Sequence, residues 1–128
     1  MIYKLSSYGE RKIGAVLANG DIINTTTAGK ESNIIGRVVD GNIFRRTVHD
    51  ERELGFVDEQ GYIHSHGLFE GGLLGWVEPD GAVIQAGLIL GEEEVGRVEG
   101  NLSAAAGAAL LLLFLPDDAE EEKRMQRR

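Results

Sequence analysis

One short string recurs along this chain and always runs into a glycine turn. Leu54-Gly55-Phe56-Val57 leads to Gly61-Tyr62-Ile63, and twenty residues later Leu74-Gly75-Trp76-Val77 leads to Gly81-Ala82-Val83 without a gap. The same pattern starts at Ile13-Gly14-Ala15-Val16, at Ile35-Gly36-Arg37-Val38 and at Val95-Gly96-Arg97-Val98. The turn glycines Gly20, Gly41, Gly61, Gly81 and Gly100 stand 21, 20, 20 and 19 residues apart. Self-similarity at such a fixed period is the mark of a repeat architecture. A glycine after Asn, Asp or Pro-Asp supplies the positive φ of a sharp turn, so each one marks a corner.

Aliphatic residues keep their places around those corners. Ile13, Ile35, Leu54, Leu74 and Val95 form one row, and Val16, Val38, Val57, Val77 and Val98 a second. Ile22, Ile43, Ile63 and Val83, two positions past the turn glycine, form a third, which Leu102 continues. Seven positions past it come Thr27, Val48, Leu68 and Leu88. In Leu-Gly-Trp-Val the Leu and Val cannot share a strand face at period two, which suggests that the glycine between them turns the chain. Twenty residues with about four inward side chains gain roughly 6–12 kcal/mol and lose on the order of 20–40 kcal/mol of backbone entropy. One unit cannot fold alone, so the units must stack.

The expected fold is therefore all-β: a β-solenoid of about twenty-residue coils over residues 1–102. Residues 103–128 follow as an apolar cap or interface segment, partly helical, with a charged tail. The iterated string of aliphatic, Gly, x, Val, acid, turn, Gly, x, Ile resembles the bacterial four-fold β-helix proteins, over roughly Ile13 to Leu102. That resemblance implies a right-handed square solenoid and is nearly silent on activity. A weaker similarity to the bactofilins implies polymer formation.

With 21 acidic and 13 basic residues the chain carries −8, which opposes the phosphate contacts that drive nucleic-acid binding. No cysteine is present, so disulfides and thiolate chemistry are excluded. Met1 to Tyr8 lacks the apolar run of a secretory signal, and a cytoplasmic setting is expected. Phosphate loops, dinucleotide fingerprints and acyltransferase hexapeptides are missing, and Ser65 between His64 and His66 is not a triad. The reading is non-enzymatic, with no catalytic residue, no cofactor and no metal site.

Surface rows supply the candidate contacts. Arg37, Phe56, Trp76 and Arg97 occupy one register position, placing two aromatics between two guanidinium groups in a ladder that stabilises the outer wall or, with Phe44 nearby, offers a flat patch to a protein or glycan. Asp58, Glu78 and Glu99, with Asp40 and Asp80, form an acidic row; solvation explains it better than calcium. His64 and His66 share a strand face, with His49 out of register for a third metal ligand. The repeat leaves Leu102 to Leu115 unexplained, above all Leu110, Leu111, Leu112, Leu113, Phe114 and Leu115. At about 21 Å as a helix it is too short to span a bilayer. It would cap the last coil, join subunits, or lie on a membrane surface, the last being disfavoured by Asp117 and Asp118. Beyond it, acids precede Lys123, Arg124, Arg127 and Arg128, the order of a short solvated helix or frayed tail; the alternative is that the basic end docks on an acidic face of a neighbouring subunit. The favoured function is a structural or protein-interaction module that forms homo-oligomers or filaments. The alternatives are a metal- or ligand-binding protein and a membrane-surface protein.

Overall fold

The computed structural model describes all residues except 7, 8, 26–32, 48, 67–71, 87–90, 101, 127 and 128. Thr27, Val48, Leu68 and Leu88 lie outside the described residues. Ten strands form one closed antiparallel barrel: β1 (Ile2–Ser6), β2 (Gly9–Val16), β3 (Asp21–Asn24), β4 (Asn33–Val39), β5 (Asn42–Arg46), β6 (Glu51–Val57), β7 (Tyr62–Ser65), β8 (Leu73–Val77), β9 (Ala82–Ala86) and β10 (Glu92–Val98). A helix follows as α1 (Ser103–Ala109), a π-helical turn (Leu110–Phe114) and α2 (Leu115–Gln126). The solenoid expectation is overturned. Each repeat is a β-hairpin standing beside the next around a ring, with no coil stacked on another.

The hairpins are equivalent in register. Val16 pairs with Ile22, Val38 with Ile43, Val57 with Ile63 and Val77 with Val83. The fifth pair is Val98 with Ile2, because β1 returns to β10 and closes the ring. Leu102 thus does not continue the isoleucine row. Ile2 takes that place, fully buried with Ile22, Ile43, Ile63 and Val83, whereas Leu102 is 40% exposed. Fully burying five such side chains is worth about 1.5–3 kcal/mol each.

The Leu-Gly-x-Val puzzle has a different answer from a corner. Between β7 and β8, Ile63 faces Gly75 but His64 faces Leu73, which leaves Leu74 as an extra residue. Leu54, Ile35, Ile13 and Val95 are skipped in the same way. A β-bulge turns the extra aliphatic side chain toward the core while glycine and valine keep their period of two. All five bulge residues pack on the core. Each hairpin also holds its neighbour: the carbonyls of Gly20, Gly41, Gly61 and Gly81 accept from the N–H groups of Val38, Val57, Val77 and Val98 at 2.8–3.1 Å. Those turn glycines have φ of 82–95°, the left-handed region in which a side chain is strained.

The C-terminal apolar run does not cap an end. It fills the lumen. A Cβ placed on Gly96, Gly75, Gly55, Gly36 or Gly14 would meet, in that order, Leu110, Leu111, Leu112, Leu113 and Phe114. Five consecutive helix residues address five successive hairpins, so the segment must lie inside the ring. All five are at most 6% exposed. Eight strands enclose just enough room for side chains, so ten leave space for a helix where the wall is glycine. Pointing one residue at each of five hairpins requires about 72° per residue, against about 100° in an α-helix. The wider i→i+5 turn moves the backbone toward that value, which gives a physical reason for a π-helical segment at this place alone.

Candidate interaction surface

Because the helix occupies the lumen, the chain's remaining chemistry lies on the outer wall and at the two ends. The ends differ. At the turn end, where α1 enters, the turns and the β10–α1 link carry Asp40, Asp58, Glu59, Glu78, Asp80 and Glu99, and no Lys or Arg. Met1, Leu17, Val39 and Leu102, each 40–45% exposed, lie at the same end. The helix begins there with small residues, Ser103, Ala104 and Ala105, which leave grooves between it and the wall. One, of about 510 Å³, runs past Val16, Ala18, Val38, Val57, Leu102 and Ala105 and is edged by Asp40, Asp58 and Glu59. A second, of about 410 Å³, lies between Met1, Val16, Glu99, Leu102 and Ala106.

Several of these acids are fixed by their own loops. Asp58 Oδ1 accepts the N–H groups of Gln60 and Tyr62 at 2.9 Å, and Oδ2 lies 3.3 Å from His64 Nε2. Partial desolvation pulls the Asp58 carboxyl up, but the N–H groups of Tyr62 and Gln60 and the His64 ring outweigh it and hold it below the usual range. Asp80 accepts from Ala82 N–H at 3.1 Å, and Glu78 from the Trp76 indole at 3.0 Å. The acidic row is not a stack of carboxylates: its members sit one hairpin apart around a rim. Among the described residues no three His, Asp or Glu side chains converge as a metal site.

The ladder of Arg37, Phe56, Trp76 and Arg97 is also rearranged. These residues face outward, but a short strand stands between each and the next. Phe56 stacks on His64 at 4.7 Å and meets His66 at 5.7 Å, while Trp76 pairs with Tyr62 at 6.3 Å. Arg37 binds Glu51 at 2.9 Å. Arg97 binds both Glu10 oxygens at 2.8 Å, also pairs with Glu99, and lies 5.0 Å over the Tyr3 ring. The arginines are thus engaged in ion pairs and do not flank the aromatics. His66 reaches Glu53 at 3.4 Å, so the two histidines that share a face each meet a carboxylate.

The opposite end carries mixed charge. Here α2 leaves the lumen past a groove lined by Lys4, Leu5, Gln85, Glu93, Glu94, Leu115 and Ala119. Arg45 clamps Asp117 at 2.7 Å and 3.4 Å through its two terminal nitrogens. Pro116, Asp117, Ala119, Glu120 and Lys123 are exposed, so α2 projects from the barrel. Of the sequence candidates, Leu110 to Phe114 are lumen residues and offer no outer surface, and Leu115 marks their exit. The turn-end grooves join residues of separate turns, and the lack of Lys and Arg in those turns is their only sequence signal. No helix among the described residues is long and apolar enough to cross a membrane. Compared with protein-family models, curated proteins and solved structures, the chain matches none of them.

Proposed function

We propose that this barrel is a protein-interaction module that works through its turn end. One observation carries the reading: apolar grooves beside α1, lined by Met1, Val16, Val38, Val57 and Leu102, open among turns that carry Asp40, Asp58, Glu59 and Glu99 and no Lys or Arg. An apolar patch with a charged rim favours association, and the rim's sign selects the partner. The partner segment is apolar with basic flanks. The internal helix supports the reading, because it holds the ring of turns rigid and removes the cavity in which a barrel of this size would carry a small ligand.

Amide shift mapping tests this with two peptides of equal length and apolar content, one flanked by Lys and Arg, the other by Asp and Glu. The basic peptide is expected to shift Ala18, Gly41, Glu59 and Leu102, all at the grooves, and Leu102→Asp to abolish the shifts. Equal binding of both peptides, or none by about 1 mM, the weak limit of useful affinity, overturns the reading.

A further inference from the structure

We infer that the turn-end groove receives the basic end of α2 from a second copy of this chain, so that barrels join head to tail. The inference rests on the interaction reading above and names its partner. Charge complementarity carries it. Residues 123–128 hold Lys123, Arg124, Arg127 and Arg128 around Met125, an apolar residue with basic flanks. The turn loops hold six carboxylates, of which Glu99 pairs with Arg97, and no Lys or Arg.

Geometry keeps the two apart within one molecule. The helix enters at the turn end and leaves at the other, where Ala119 is the last of its residues at the barrel groove. From Ala119 to Gln126 the helix advances about 10 Å, which carries its backbone away from the groove at its own exit. The strand ends beside that exit carry Lys4, Arg45, Arg46 and Arg52 among their acids, a poorer match for a basic segment than the acidic rim. A donor at one end and an acceptor at the other make a heterologous contact, which propagates as an open chain unless its rotation closes a ring.

Light scattering on the full chain against concentration and salt tests this, with two charge-reversed variants. Lys123→Glu/Arg124→Glu alters the donor and Asp40→Lys/Glu59→Lys the acceptor, where Lys123, Asp40 and Glu59 are exposed. The wild type is expected to grow in mass with concentration and to weaken as salt rises. Each variant alone should associate about a hundredfold more weakly, since reversal sets like charges together. Their mixture should regain association, because each donor then meets an opposite acceptor. A wild type that stays monomeric at about 1 mM, association indifferent to salt, or a mixture no stronger than its parts overturns the inference. If a variant fails to fold, the salt series on the wild type still decides. Monomeric wild type together with basic-peptide binding would sink only the head-to-tail contact; loss of both sinks the interaction reading too.

Discussion

Gly75 on β8 faces Leu111 in the lumen so closely that a Cβ on the glycine would stand 3.0 Å from the leucine Cδ1 and would overlap the Ile84 carbonyl oxygen. The pair is one of five, each joining a wall glycine to the next residue of the helix. Leu111→Ala is expected to cost about 2–5 kcal/mol, the range for a large side chain removed from a core that cannot collapse. Gly75→Ala should cost about 1–3 kcal/mol by overpacking. Combining them should not restore stability, because the carbonyl overlap remains. Urea denaturation of the three variants checks this.

Gly107 in α1 separates helix preference from fit. Alanine is favoured over glycine in a helix by about 1 kcal/mol, yet a Cβ here would overlap Val77 Cγ2. Gly107→Ala is expected to destabilise the wild type but to stabilise a Val77→Ala background, where the new methyl has room. A double-mutant cycle reads the sign change as a coupling of about 1–3 kcal/mol.

Closure by β1 makes an unusual demand on Ile2. Its burial equals that of Ile22, Ile43 and Ile63, so Ile2→Ala should cost about 2–5 kcal/mol, as at those positions. Leu102→Ala, at 40% exposure, should cost less than about 1 kcal/mol. Equal losses at Ile2 and Leu102 in thermal unfolding would show that the fifth hairpin is not completed by the first strand.

Acid should loosen two places in order. The Arg97 guanidinium, by hydrogen bonding, holds the Glu10 carboxyl below its ordinary 4.5, and the Asp58 carboxyl lies below its ordinary 3.8. A depressed carboxyl stabilises the fold above its unfolded value, and that contribution is lost as pH falls through the folded value. Stability should therefore begin to drop below about pH 4.5 through Glu10 and below about pH 3.8 through Asp58. Glu10→Gln/Asp58→Asn is expected to flatten the dependence of unfolding midpoint on pH in that range while leaving it unchanged above pH 6.

The repeat, its turn glycines and the inward Ile and Val rows could be read from the sequence. What the period could not decide was how one unit meets the next. Asn19-Gly20 and Pro79-Asp80-Gly81 are hairpin signals when flanked by alternating apolar residues, and that local chemistry favoured antiparallel neighbours over stacked coils. The second clue was Leu110 to Phe114, apolar on every side, as a helix buried all round must be. The turn-end groove was hidden for another reason. Its residues come from distant turns, and only ring closure brings Val16, Val38, Val57 and Leu102 together at one end. Phe56 and Trp76 were correctly assigned to one register position, but the intervening short strand gives each a separate companion.

Because Ile2 completes the hairpin begun by β10, β1 must wait for the strand made last of the ten. Four hairpins can form locally as they are made, but none can bury its inner face until residues 110–114 arrive to be surrounded. The ten strands therefore pass from a row of half-exposed hairpins to a barrel in one late event that joins β1 to β10 around the helix.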